Sequence, residues 1–227
     1  MEPGSSNMIT EIEGDLFDAP DGAVLIHACN CKGSWGAGIA RAFRDKYPAA
    51  CEVYRSHCRS FLESAKYATA SPSESDSCDQ TIKSRILRLP EGTALIIPPQ
   101  ERDYLPGLAQ RPRRPRRGYA RSRATDTKQS ERKKKHWIVC LFTSRGFGRT
   151  VCPPDVILEN TALAVEDMKR QLEELQDGAE DNGSADKPGE LWSCRFNSGL
   201  FAVDWKDSRK ILEDSGLKVT VVRPPGE

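Results

Sequence analysis

Apolar and polar positions change rhythm several times along the chain. Met8–Ile12 (MITEI) alternates and runs into Gly14-Asp15, the pattern of a short strand closing in a turn. Ala23–Ala28 (AVLIHA) is apolar without a break between Asp21-Gly22 and Asn30, which predicts a strand buried on both faces. After a loop holding Gly33, Gly36 and Gly38, the residues Ile39, Ala40, Phe43 and Tyr47 recur at helical spacing until Pro48. A second helix is predicted over Ala49–Ser64. Strands are predicted at Arg85–Leu89 and Ala94–Ile97, each closed by proline, and at Trp137–Thr143 (WIVCLFT). Pro153-Pro154-Asp155 opens the clearest helix, with Ile157, Thr161, Ala164, Met168, Leu172 and Leu175 on one stripe. Gln176–Glu190 reads as a polar, acidic connection. Leu191–Phe196 is a predicted strand, Trp205–Ser215 a short helix and Lys218–Val222 a final strand.

Strands that alternate with helices, several of them apolar throughout, predict an α/β fold in which helices cover both faces of a sheet. With 227 residues the chain is sized for one domain, or one domain with an insertion. Two stretches do not fit a compact body. Residues 65–84 are polar and rich in Ser, Asp and Thr, and are expected to form a loop. Residues 101–133 contain RPRRPRRGYARSR and almost no aliphatic side chains, too little apolar surface to offset the entropy of ordering. That stretch is expected to be a long, basic, disordered insertion within the domain.

Charge sharpens the contrast. The formal net charge is only +1, yet residues 109–135 hold 12 Lys/Arg against 2 acids, which leaves 22 basic and 31 acidic residues elsewhere. An acidic body thus carries a basic insert. The insert has Tyr119 as its single aromatic, so nucleic-acid binding is only weakly supported, and RPRRPRR and RKKK match nuclear signals as short basic runs often do. No apolar run is long enough for a membrane helix and no secretory h-region follows the first residues, so an intracellular location, cytoplasmic or nuclear, is expected, with no membrane partner. The eight cysteines form no Cys-x-x-Cys pair and are expected to be free thiols; there is no Asp-x-His and there are only three histidines. Neither a metal nor a cofactor is expected.

The stretch Leu25–Ala40 (LIHACNCKGSWGAGIA) carries the richest candidate chemistry. A buried strand passes through a glycine loop into a helix, where backbone N–H groups and the helix N-terminus can hold an anion. The alternative is a glycine turn that only lets strand and helix pack. The spacing G-x-x-G-x-G is neither a dinucleotide fingerprint nor a P-loop. Asn30 stands at a strand's carboxyl end, where its amide can hold a sugar hydroxyl as donor and as acceptor. His27 is a candidate to hold or deprotonate water, or else a buried imidazole bonded to backbone. Strict alternation puts the two on opposite faces unless the strand bends. Asp15 can accept from an exocyclic amine such as that of adenine, or act as a turn or N-cap carboxylate. Asn197–Val203 (NSGLFAV) forms a second glycine-containing strand exit, and Thr143–Gly148 (TSRGFG) a third. Neither a thiolate phosphatase loop, with arginine six residues after cysteine, nor an Asp-x-Asp pair is present.

These exits, in this order, resemble the macro domain, the fold that binds ADP-ribose, and most closely the fungal-type ADP-ribose 1″-phosphate phosphatases. The residues that carry the resemblance are ITEIEGDLF (9–17), LIHACNCKGSWGAGIA (25–40), CLFTSRGFG (140–148) and FNSGLFAVDW (196–205). The resemblance implies a three-layer α/β/α fold with a mixed central sheet, places Asp15 at the adenine, and counts its neighbours Gly14 and Leu16 among the ligand-binding residues. It places Asn30 at the distal ribose, counts Ala28 and Cys29 among the ligand-binding residues, and sets Trp35, Gly36, Ala37, Gly38, Ile39 and Ala40 around the phosphates near that ribose. Asn197, Ser198, Gly199, Leu200, Phe201, Ala202 and Val203 would embrace the diphosphate. It also sets His27 beside the distal ribose phosphate, so His27 and Asn30 are the expected catalytic residues. Two departures stand out. Phe201-Ala202 replaces the Tyr-Gly or Phe-Gly of many macro domains, and Ser144 and Phe201 stand where a related branch that removes ADP-ribose from glutamates has its lysine and aspartate.

The resulting expectation is a monomeric, metal-independent hydrolase that takes the terminal phosphate from ADP-ribose 1″-phosphate, a by-product of tRNA splicing, and leaves ADP-ribose. A non-catalytic ADP-ribose-binding module, or an ADP-ribosyl-protein hydrolase, is the alternative built on the same pocket.

Overall fold

The computed structural model describes residues 8–63, 89–105, 134–182 and 187–226. The predicted strand at 85–89 falls outside them apart from Leu89, as do the loop at 65–84 and most of the basic insertion.

Six strands form one sheet: β1 (Ile9–Glu13), β2 (Val24–Asn30), β3 (Ala94–Ile97), β4 (Trp137–Ser144), β5 (Leu191–Cys194) and β6 (Val219–Arg223). Their order is β1-β6-β5-β2-β4-β3, parallel throughout except for β3, which runs antiparallel to β4 at the edge. The expected mixed sheet is therefore present. The neighbouring interior strands β2 and β4 are those with unbroken apolar runs, because only a strand covered on both faces gains by being apolar at every position.

Alternate residues of these strands feed two cores. Leu25, Cys29, Ile138, Cys140 and Phe142 pack with Phe43 of α1 (Gly38–Lys46), Cys51 and Tyr54 of α2 (Pro48–Glu63) and Tyr47 between the two helices. On the opposite face, Val24, Ile26, Val139 and Leu141 meet Ala164, Val165, Met168 and Leu172 of a long helix and Leu212 of a short one. These are α4 (Pro154–Asn182) and α5 (Trp205–Asp214). Each large apolar side chain so buried contributes about 1.5–3 kcal/mol.

Two element boundaries differ from the sequence pattern. The helix predicted to stop near Leu175 continues to Asn182. Its apolar stripe ends where it leaves the core, but residues 173–178 stay exposed and include Glu, Gln and Leu, good helix formers, so the helix runs on in solvent. The second difference is a helical turn, α3 (Glu101–Tyr104), inside the stretch assigned by composition to the insertion. Its Asp103 is buried and accepts from the Ala49 and Ala50 N–H groups at 2.7 and 3.1 Å, capping α2, which starts on Pro48. Tyr104 Oη accepts from the His136 N–H at 3.0 Å. Residues 101–104 therefore belong to the folded body.

Candidate functional site

Because β1, β2, β4, β5 and β6 are parallel, their carboxyl ends share one edge, and the chain leaves each through a different loop. In sheet order the exits read Asp15 after β1, residues 195–204 after β5, residues 31–37 after β2 and residues 145–153 after β4. At ~4.8 Å between neighbouring strands, β1 and β2 themselves stand about 14 Å apart across this row.

Asp15 is exposed and caps a single 3-10 turn at Leu16–Asp18, its Oδ1 accepting from the Phe17 N–H at 2.9 Å. Leu16 itself is buried in the core.

Asn30 organises the glycine loop. Oδ1 accepts from the N–H groups of Lys32 (2.9 Å) and Ser34 (3.4 Å), Nδ2 donates to Ser34 O (2.7 Å), and the Tyr54 hydroxyl donates to Asn30 O (2.5 Å). One of its two amide hydrogens has no partner among the described residues. The bend needed to turn Asn30 is present as a register shift between Cys29 and Asn30: Cys29 pairs with Phe142, but Asn30 pairs with Ser144.

The loop delivers the chain to α1, whose N-cap Ala37 offers no side-chain acceptor. The first helical bond comes from Arg41 N to Ala37 O, so the amides of Gly38, Ile39 and Ala40 have no intrahelical partner and point outward at the positive end of the helix dipole. Gly36, Ala37, Gly38 and Ile39 are all exposed. Gly38 has φ of 55°, and a Cβ there would meet Leu200 Cδ1 at 3.7 Å, so the β5 exit lies directly against the start of α1.

The β5 exit is anchored from below. Asn197 is buried with φ of 65°; its Nδ2 donates to Thr161 Oγ1 (2.9 Å) and Ser208 Oγ (3.1 Å), and its Oδ1 accepts from Thr143 Oγ1 (2.9 Å). Its side chain thus ties the loop to α4, α5 and β4, and the exposed part of the loop is Ser198, Gly199, Leu200 and Ala202, with Phe201 half-buried and Val203 buried. Ala202 takes the left-handed conformation with φ of 54°, the conformation that favours glycine. Deeper still, Arg195 Nη2 donates to Glu11 Oε2 at 2.8 Å, while Trp205 Nε1 and Arg209 Nη1 donate to Oε1 at 2.9 and 3.0 Å. Burial by itself would raise the Glu11 pKa, but those hydrogen bonds and the two guanidinium charges hold it below the usual carboxylate range. Sequence reasoning passed over Glu11; the available signal was its place two residues after inward-facing Ile9, on the same face of β1.

Three predicted site residues turn away from the edge. His27 is 0% exposed: it stacks on Phe43 with centroids 4.1 Å apart and meets Trp35 edge-on at 5.0 Å. Trp35 is 1% exposed, stacks on Tyr54 at 5.0 Å and donates from Nε1 to Cys29 Sγ at 3.3 Å. Cys29 is buried with them. The structure therefore brings Asp15, Asn30 and the backbones of 36–40 and 198–202 to one edge, and places the His27 ring beneath it, out of contact with water. Ala28 is half-buried on the other face of β2.

The β4 exit completes the row. Ser144 Oγ donates to Gly146 O and accepts from the Cys152 N–H, both at 3.0 Å, and Arg145 forms a two-pronged pair with Glu91 at 3.0 and 2.8 Å. The Cys31 N–H donates to Ser144 O at 3.1 Å, which joins the β2 and β4 exits at their roots.

Comparison with known proteins agrees with this architecture. The chain is 57% identical over 224 residues to an ADP-ribose 1″-phosphate phosphatase of Aspergillus fumigatus, covering 99% of this chain and 98% of the relative. The chain belongs to the ADP-ribose 1″-phosphate phosphatase family. A member from Aspergillus oryzae is 52% identical over 96% of this chain, and one from Debaryomyces hansenii 29% identical over 90%. Among solved structures the fold of this chain matches the macrodomain of Mycobacterium tuberculosis DarG, with a TM-score of 0.54 at 17% identity over 95% of this chain and 97% of that one. The macrodomain of Thermus aquaticus DarG follows at 0.53 and 13%. No family model matches the chain. Among the described residues no helix is long and apolar enough to cross a membrane.

Proposed function

We propose that this chain hydrolyses ADP-ribose 1″-phosphate to ADP-ribose and inorganic phosphate. The observation that carries the reading is near-full-length identity of 57% to a protein of that name, joined to a row of strand exits ordered to take such a ligand lengthwise. Asp15 accepts from the adenine amine with its outward oxygen. The unpaired amides at the start of α1 and the facing backbone of 198–201 hold the diphosphate between them. The spare hydrogen of Asn30 Nδ2 reaches the distal ribose, and the terminal phosphate lies toward the joined roots of the β2 and β4 exits.

In this pose water attacks phosphorus, the bond from phosphorus to the C1″ oxygen breaks, and the departing sugar oxygen takes a proton to become the anomeric hydroxyl. The water oxygen leaves in the phosphate. Fixed amides that face the phosphate stabilise the charge that grows on it, an electrostatic contribution that requires no reorganisation in the step. The burial of His27 favours a supporting role, in which the ring holds Trp35 and Phe43 under the loop and the proton moves through the phosphate's own oxygens.

Release of phosphate from ADP-ribose 1″-phosphate, followed beside calorimetry with ADP-ribose, tests the proposal. Turnover with tight product binding supports it; binding without any phosphate release would leave a binding module.

A further inference from the structure

The β2–β4 register assembles a second chemical centre beneath the site. Cys140 of β4 is the direct register partner of His27 on β2, and Cys29 lies two residues further along the same face of β2. Residues 113 positions apart in the sequence are thereby set side by side. Cys29 Sγ lies 3.5 Å from His27 Nε2 and 3.7 Å from Nδ1, and the ligating atoms of all three residues lie within 4.8 Å of one another.

We propose that His27, Cys29 and Cys140 form a binding site for a thiophilic cation, with monovalent copper the favoured ion and zinc the other of the same chemistry. The inference does not rest on the function proposed above. Around a three-coordinate metal with bonds of about 2.3 Å to sulfur and about 2.0–2.1 Å to nitrogen, neighbouring donor atoms stand about 3.8–4.0 Å apart. The observed spacing approaches that range with side-chain adjustment alone, since all three donors sit on two hydrogen-bonded strands. The environment is that of a ligated thiolate. Trp35 Nε1–H donates to Cys29 Sγ, an outer hydrogen bond of the kind that orients and tunes a metal-bound sulfur. His27, Cys29 and Cys140 are 0%, 2% and 0% exposed. A dry, three-donor N,S,S set suits monovalent copper, which zinc's preference for a fourth ligand does not match. A cation held there would pin β2 to β4 directly below the bend that orients Asn30.

The test uses the full chain, reduced and without oxygen, titrated with monovalent copper and separately with zinc against chromophoric chelators. One equivalent of monovalent copper is expected, held more tightly than zinc, with affinity at least 100-fold lower in Cys140→Ser and unchanged in Cys58→Ser, a buried thiol of the same core. Copper and zinc arms then identify the ion. X-ray absorption of the loaded parent protein should give two sulfur neighbours and one imidazole nitrogen, a measurement that stands even if Cys140→Ser does not fold. Failure of the parent to compete for either ion, affinity undiminished in a folded Cys140→Ser, or a metal shell without sulfur would each overturn the site.

Discussion

Asn30 and Ser34 grip each other across the β2 exit: Asn30 Nδ2 donates to Ser34 O at 2.7 Å, and the Ser34 N–H donates back to Oδ1 at 3.4 Å. The amide type is required, because the two bonds run in opposite directions and only a group with both a donor and an acceptor closes the ring. Asn30→Asp keeps the acceptor, loses the donor and adds negative charge beside the phosphates. It is expected to weaken ADP-ribose more than Asn30→Ala does, and Asn30→Ala itself by about 1–3 kcal/mol. Calorimetry on folded variants ranks them, and equal affinity for parent and Asn30→Asp would contradict this role.

Asp15 performs two tasks that one substitution separates. Asn caps a turn about as well as Asp does, so Asp15→Asn should keep the melting temperature. Its amide presents a donor to the adenine amine in one orientation and a weaker acceptor in the other, so ADP-ribose binding should fall by roughly 1.5–3 kcal/mol. If Asp15→Asn instead lowered stability and left affinity alone, Asp15 would be a turn residue only.

Ala202 takes φ of 54° at the position where many macro domains carry glycine. The left-handed conformation costs an L side chain roughly 1–2 kcal/mol, partly offset by the extra freedom a glycine loses on folding. Ala202→Gly is expected to stabilise the chain by up to about 1 kcal/mol, read as a rise in melting temperature of about 2–4 °C. A fall in melting temperature would show that the loop relaxes without help.

Glu11 supplies a pH dependence. Its folded-state pKa is depressed: burial opposes ionisation, but the Trp205 and Arg195 hydrogen bonds and the Arg195 and Arg209 charges outweigh that. The stabilisation is therefore present above the ordinary carboxylate pKa of about 4.3 and is lost as pH falls through the lower folded value. Glu11→Gln should melt below the parent at neutral pH, with the gap closing as the solution is acidified past that range. A gap that stayed constant with pH would assign Glu11 a packing role alone.

Local chemistry made much of this fold readable. β2 and β4 announce themselves because strands covered on both faces must be apolar throughout, and the glycine loop because glycine takes left-handed conformations such as that of Gly38 at the least cost. What escaped was set by distance along the chain. The His27–Cys140 pairing depends on sheet register, which no spacing rule within either strand encodes. Asp103 was hidden in a window whose average composition is polar, although one carboxylate suffices to cap a helix. The resemblance set Trp35 among the phosphate contacts, whereas its ring fills the core between Cys29 and Tyr54.

The helix α2 joins two places that the chain order keeps apart. Asp103, at the threshold of the basic segment, holds its first turn, and Tyr54, midway along it, holds the Asn30 carbonyl at the head of the glycine loop. A rod fastened at both points opens as one unit in native-state hydrogen exchange, so the amides of α2 should exchange more slowly when ADP-ribose is bound, although the ligand touches none of them. Loosening the Asp103 end shortens the lifetime of that unit, and the nucleotide then leaves from a loop whose nearest support has already begun to fray.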